Sequence, residues 1–364
     1  MRDIITFFFG FFVPLTCLTL LSACKPRDAG RFEPFAGAAL AHVHANGKGY
    51  GSGRSAELST RFKPNGMQLV QLNPFGYQPS VNDRRILFDD PTLQDEDLIR
   101  EIQSLHKQGL LVMLAPHLWL DRANNAPWRS QLDYKHADER AEWFGAYAKF
   151  ILHYARIATQ TQSEVFAIGV ELASLARDTG AFRRLIGEVR ALGYRGLLTY
   201  ECEAWNAENI AFWQELDFIG LNMYYSFDGE PRNEVDPYFT GLVDFQRDKL
   251  ARHAQHAERT GMPWVITEFG YPAHQKAISQ TSAWPDTMRV RDDRAQEIGF
   301  RAFEMALQKH AASGLPRPSG IIFWKYVTTL DSYEKASYAT DFILQGKPAE
   351  QVAIRIAKTF RGSK

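Results

Sequence analysis

A single-domain (β/α)8 barrel is the fold this sequence predicts, and three observations point to it. From Ala36 onward, eight short apolar or β-branched runs alternate with longer amphipathic stretches, the pattern of a parallel sheet wrapped by helices. Several runs are entered through glycine, as at Asn65-Gly66, Gln108-Gly109, Arg195-Gly196 and Thr260-Gly261, where a helix closing in a left-handed cap passes straight into a strand. The longer irregular pieces, Asn73 to Asp90, His117 to Tyr134, Ser226 to Pro237 and Pro272 to Arg291, follow strands rather than helices. In a barrel such pieces gather at the face formed by the C-terminal strand ends, where active sites lie.

The predicted strands are Gly37 to Val43, Met67 to Leu72, Leu110 to Ala115, Val165 to Val170, Gly196 to Tyr200, Phe218 to Asn222, Trp264 to Thr267 and Gly320 to Trp324. Helical patterns cover Glu96 to Gln108, Ala137 to Thr159, Phe182 to Leu192, Phe239 to Thr260 and Asp292 to Ala311. No internal repeat and no low-complexity tract interrupts them.

Arg2 and the apolar run Ile4 to Leu21, rich in Phe and broken by Pro14, read as a secretory signal over residues 1–23. The run ends in Leu21-Ser22-Ala23-Cys24, which resembles the lipobox of bacterial lipoproteins. Cys24 is therefore the expected lipidation site (palmitate), residues 24–35 the tether and residues 36–364 the barrel domain. The competing reading is an uncleaved anchor, for which the run falls short of the roughly 20 residues that span a bilayer. Lys25 stands where an aspartate would resemble an inner-membrane retention signal, so the expected location is the outer membrane, on its periplasmic or outer face. Cleavage removes Cys17 and acylation caps Cys24, which leaves Cys202 as the lone free thiol.

Lys plus Arg and Asp plus Glu balance at 42 each, and no basic stripe runs along the chain, which argues against a nucleic-acid partner. The membrane is expected as a partner only through the lipid, and the chain is expected to be a monomer. Aromatic residues make up 13% of the sequence, with many Trp and Tyr near strand ends, a distribution suited to uncharged, ring-faced ligands such as sugars.

Two predicted strands end in an acid where burial would otherwise forbid one: Phe166-Ala-Ile-Gly-Val-Glu171 on the fourth and Trp264-Val-Ile-Thr-Glu268 on the seventh. The C-terminal ends of these strands can face one cleft. Cleavage of a glycosidic bond needs such a pair, one carboxylic acid to protonate the leaving oxygen and one carboxylate to meet the oxocarbenium-like centre. If the two carboxyls lie about 5–5.5 Å apart, the reaction retains configuration. On this reading Glu268 is the nucleophile, held by Tyr224 or Tyr225, and Glu171 is the acid/base. The bland alternative is that each glutamate closes a helix N-terminus or a salt bridge.

Trp324, at the end of the eighth run, is the leading stacking platform for a pyranose. His117 and Trp119 alternate onto one side after the third run, and Asn73, Tyr77, Trp128, Trp205 and Asn222 occupy loop positions suited to sugar subsites. His42-Val-His44 closes the first run as in a metal-dependent amidohydrolase barrel. That rival requires further His after strands five and six and an Asp after strand eight, where Tyr200-Glu201, Asn222-Met-Tyr224 and Trp324-Lys325 stand instead, so no metal and no cofactor are expected. The stretch Gly47 to Gly53 lacks the spacing and the Gly-Lys-Ser/Thr end of a phosphate loop.

The segments Leu198-Thr-Tyr200, Phe212 to Gly220, Thr267-Glu-Phe-Gly-Tyr271, Gly320-Ile-Ile-Phe-Trp324 and Gln345-Gly-Lys-Pro-Ala349 resemble those of glycoside hydrolase family 113, over nearly the whole chain after the signal. The resemblance implies a retaining endo-β-1,4-mannanase in the barrel clan, with Glu171 as acid/base and Glu268 as nucleophile. Three positions depart from it. Val170 stands where many clan members have an Asn that touches the substrate 2-hydroxyl, Ala115 replaces an expected Lys, and Glu201-Cys-Glu203 intervenes before Trp205. These departures bear on which glycan is cleaved more than on whether hydrolysis occurs. They also leave room for a second function class, a surface glycan-binding lipoprotein that keeps the barrel without turnover.

Overall fold

The computed structural model describes residues 33–121, 127–283, 290–331 and 339–360, so the predicted signal, Cys24 and the tether up to residue 32 lie outside the described residues. In chain order the elements are β1 (Phe35–Ala41), α1 (Gly53–Ser59), β2 (Leu69–Leu72), β3 (Phe75–Gln78), α2 (Asp95–Lys107), β4 (Leu111–Leu114), β5 (His117–Leu120), α3 (Ala137–Thr161) and β6 (Val165–Val170). They continue with α4 (Thr179–Ala191), β7 (Leu197–Glu203), β8 (Ile219–Asn222), α5 (Pro237–Thr260), β9 (Trp264–Phe269), α6 (Asp293–Ala311), β10 (Gly320–Val327) and α7 (Pro348–Phe360). Eight strands close a parallel barrel in the order β1-β10-β9-β8-β7-β6-β4-β2. Together with the interleaved helices this is a single (β/α)8 domain.

Strand alternation builds two cores. Phe35, Ala39, Leu69, Met113, Val165, Ala167, Phe218, Val265 and Ile322 fill the barrel interior. Their neighbours Ala38, Leu40, Val70, Phe166, Ile168 and Ile266 pack outward beneath the helices. Toward the C-terminal strand ends the buried inward positions turn polar, with Gln71, Glu201, Asn222 and Thr267. That change is what makes one end of the barrel chemically competent.

Several elements differ from the sequence expectation. Phe35, assigned to the tether, begins β1 and pairs with Gly320 of β10. β7 runs on to Glu203 and β10 to Val327. The pieces Asn73 to Asp90 and His117 to Tyr134 are not wholly irregular: β3 and β5 pair in parallel as a separate two-stranded sheet above the barrel. Phe-Gly-Tyr-Gln and His-Leu-Trp-Leu lack the aliphatic run that marks the equally short β2 and β4. α1 is likewise a helix of 7 residues, started by the Ser52 side chain accepting from Ser55 N–H. α7 is absent from the predicted set although its buried Ala349, Val352, Ala353, Ile356 and Ala357 have helical spacing. Among the described residues, no helix is long and apolar enough to cross a membrane.

Candidate active site

Glu171 is the first residue past β6 and has φ of 51°, a left-handed conformation that a β-carbon disfavours. Strain of this kind persists only where the surroundings hold it. Here the Glu171 N–H donates to the Glu201 carbonyl at 2.8 Å, which continues the β6–β7 pairing into the turn. The carboxyl is then fixed by three donors. Oε2 accepts from Arg129 Nη2 at 2.9 Å and Trp128 Nε1 at 3.0 Å, and Oε1 accepts from Asn222 Nδ2 at 3.1 Å. Arg129 is itself buried, and its guanidinium lies 4.4 Å from the centre of the Trp128 ring.

Glu268 lies within β9. Its Oε2 accepts from the Tyr224 hydroxyl at 2.8 Å, and its Oε1 faces His117 Nε2 at 3.2 Å. Burial, and then the Glu268 charge beside it, push the Tyr224 hydroxyl well above the usual phenol range, so it stays a donor. Tyr225, the other predicted holder, turns away and meets His253 of α5 at 2.8 Å. His117 Nδ1 sits 2.8 Å from the Ala115 carbonyl, a contact that requires the hydrogen on Nδ1. Trp324 stacks on the His117 ring, 5.7 Å between centroids and 14° between planes.

Asn222 joins the two glutamates. Its Cα is the register partner of Glu268 across β8 and β9, its amide donates to Glu171, and its Oδ1 accepts from Thr267 Oγ1 at 2.8 Å. Both carboxyls therefore open on one site at the C-terminal end of the barrel.

The other predicted residues fall at different depths. Asn73 is buried, takes the Tyr50 hydroxyl on its N–H at 2.9 Å, and places Nδ2 3.3 Å from His117 Nδ1. Trp119 and Tyr77 sit on the two-stranded sheet, Trp119 edge-on to Phe75 and Trp128, and Tyr77 3.3 Å from His44 Nδ1. Trp205 is not drawn into this cluster; it is 57% exposed on a 3-10 turn after β7.

Glu201 and Glu203 were noted in the sequence only as departures, yet both belong to the site. Alternation from Thr199 places them on the inward face of β7, and extending the predicted strand by three residues would have revealed them. Both Glu201 oxygens accept from Gln71 Nε2, at 2.9 and 3.1 Å. Burial, then the Glu268 charge, raise the Glu201 carboxyl well above the usual range. Glu203 is buried, and no cation or side-chain amide among the described residues hydrogen-bonds its carboxyl. Burial, then Glu171, push it up to about 7.

Two histidine–carboxylate groups are close enough to be weighed as cation sites: His42, His44 and Asp90, and His117, Glu201 and Glu268. In the first, His42 Nδ1 accepts from Tyr50 N–H at 3.0 Å and Nε2 meets Thr92 Oγ1 at 3.2 Å. Both ring nitrogens are thus occupied, and burial lowers His42 to about 4. The second group encloses one of the glutamates that would carry the reaction, and its acid–base logic needs no ion. Neither group is assigned a metal.

The family model of Glycoside Hydrolase Family 113 matches residues 41–347. The β-mannanase of that family from Alicyclobacillus acidocaldarius, solved in complex with ManMIm, superposes with a TM-score of 0.75 at 23% identity over 92% of this chain and 100% of its own. A further β-1,4-mannanase structure of the family superposes at 0.70 with 26% identity, over 91% of this chain and 100% of its own. A family 5 mannosidase from Rhizomucor miehei shares the fold alone, at 0.61 and 11% identity over 91% of this chain and 92% of that one. No curated protein sequence matches the chain. With a family model spanning most of its length and two buried glutamates on the fourth and seventh barrel strands, the chain belongs to glycoside hydrolase family 113.

Proposed function

We propose that this glycoside hydrolase cleaves β-1,4-mannan or a closely related β-glycan with retention of configuration, through a glycosyl-enzyme on Glu268. The observation that carries the reading is the pairing of Glu171 and Glu268 through Asn222, each carboxyl held by its own donors. Tyr224 donates to Glu268 and aims it at the anomeric carbon, with His117 packed 3.2 Å from its other oxygen. Arg129, Trp128 and Asn222 orient Glu171, which protonates the leaving oxygen and then takes a proton from water in the second step. Double displacement separates one difficult substitution into two easier ones.

Trp324 is the platform for the sugar whose bond breaks, because its indole already lies flat in the site. Asn73, Tyr77 and Trp119 are the flanking subsite candidates, and Trp205, exposed outside the cluster, is the outlying one. The mannan assignment rests on the family and its solved β-mannanases. Anchoring through a lipid on Cys24, at the outer membrane, rests on the lipobox-like Leu21-Ser22-Ala23-Cys24; a monomer acting at a membrane surface fits a polymer substrate.

Incubating the protein with mannan, glucomannan, xylan and β-glucan, beside Glu268→Gln, tests the reading. Reducing ends released from one glycan and absent with the variant support it. Tight glycan binding without release in either protein would overturn it in favour of a binding protein.

A further inference from the structure

The mechanism above leaves Glu201 without a task, although it is fully buried inside the barrel and lies against the nucleophile. Oxygens of Glu201 and Glu268 and a ring nitrogen of His117 all lie within 4.8 Å of one another. At that separation two ionised carboxylates disfavour each other by about a hundredfold or more in protonation equilibrium, with an effective dielectric constant near 20. The groups facing Glu201 offer little to offset this. Gln71 on β2 supplies a neutral amide, His117 on β5 supplies Nε2 to Glu268, Tyr224 after β8 is already given to Glu268, and Glu171 after β6 adds another carboxyl. Arg129 is committed to Glu171.

We propose that Glu201 is a positioning residue that works as a neutral carboxylic acid: the Gln71 amide donates to it from one side, and its O–H is turned toward the Glu268 carboxylate. The inference rests on Glu268 being the nucleophile. It follows from counting donors. Gln71 Nε2 is a donor, so the Glu201 oxygen it meets is an acceptor. On the far side stands the Glu268 carboxylate, within 4.8 Å, and of the groups named above only the Gln71 amide donates to the Glu201 carboxyl. A protonated carboxyl supplies the missing donor and fixes the nucleophile from within the barrel, while Tyr224 fixes its other oxygen. The same arrangement keeps a second negative charge away from the anomeric carbon as Glu268 attacks. It also gives the Glu201-Cys-Glu203 departure a physical role: β7 supplies an acid directly behind the nucleophile.

A protonated carboxyl has a close neutral isostere in glutamine, whose C=O and N–H2 reproduce the acceptor and the donor. Glu201→Ala should therefore lower kcat about ten- to a hundredfold by stranding the Gln71 and Glu268 partners. Glu201→Gln should restore most of that loss and leave both limbs of the kcat/KM pH profile where they were. Glu201→Asp, which keeps the acid but withdraws it, should lower kcat with KM unchanged. A glutamine variant as slow as the alanine variant, or one whose acidic limb moves, would show an ionised Glu201 and overturn the proposal.

An infrared spectrum of the unsubstituted protein at about pH 9, where Glu203 near 7 is ionised, reads the same proton without turnover. The proposal expects a protonated-carboxyl C=O band that survives there. Its absence overturns the proposal even if Glu201→Gln does not fold or if no glycan is cleaved, so a failure of the hydrolase reading remains distinguishable.

Discussion

Glu203→Gln removes one titrating group and isolates the cost of carrying a buried carboxyl beside Glu171. In the folded protein this carboxyl is raised from 4.5 to about 7 by burial and by Glu171, with Arg129 and Ser130 only partly opposing. A folded-state value above the unfolded one means that the native protein binds more protons between those two values. Stability therefore falls as pH rises through that window. It is undiminished below about pH 4.5 and fully reduced above about pH 7, and a displacement of about 2.5 pH units corresponds to about 3 kcal/mol. Glutamine keeps the shape and carries no titrating proton. The variant should thus gain on the wild type by about 2.5 kcal/mol between pH 5 and pH 8, read as the change in urea-unfolding difference between the two proteins at each pH. Parallel pH dependences for the two proteins would refute the argument, because they would mean that Glu203 is ionised or solvated in the native state.

Tyr224→Phe removes the 2.8 Å hydrogen bond to Glu268, and kcat should fall about ten- to a hundredfold in steady-state kinetics at nearly constant KM. Arg129→Met leaves the buried Glu171 without its cation, so the protein should lose about 3–5 kcal/mol in denaturant unfolding, with kcat reduced as well. Gly270→Ala would place a β-carbon 2.2 Å from the Trp324 carbonyl, backbone against backbone two residues past Glu268. The strands must part there, at a cost of about 1–3 kcal/mol or more in thermal or denaturant unfolding, and with lower activity. A thermally unchanged, active Gly270→Ala protein would contradict the packing between β9 and β10.

The barrel was legible because its strands are buried on both sides and six of the eight follow a helix, so apolar runs and glycines mark many of the boundaries. Glu171 and Glu268 stood out for the complementary reason: a charge directly after a run such as Phe166 to Val170 has no cheap structural explanation. Two kinds of feature escaped. β3 and β5, with Gly, His and Gln among their four residues each, lack the aliphatic run that marks the equally short β2 and β4, although they place Tyr77, His117 and Trp119. β7 was ended at Tyr200 because Glu201 and Glu203 look like loop residues; only the closed barrel shows that their side chains are turned inward. Arg129 was missed as well, since nothing local distinguishes an arginine in an irregular stretch from a solvated one. Its importance comes from Glu171, 42 positions further along the chain.

The most direct test of the central claim is the stereochemistry of the first product, followed by proton NMR during the opening minutes of β-manno-oligosaccharide cleavage. Attack by Glu268 and return of water on the opposite face predict that the β-anomer accumulates first and then mutarotates. First appearance of the α-anomer would mean single displacement by water, and would remove Glu268 from its role as nucleophile.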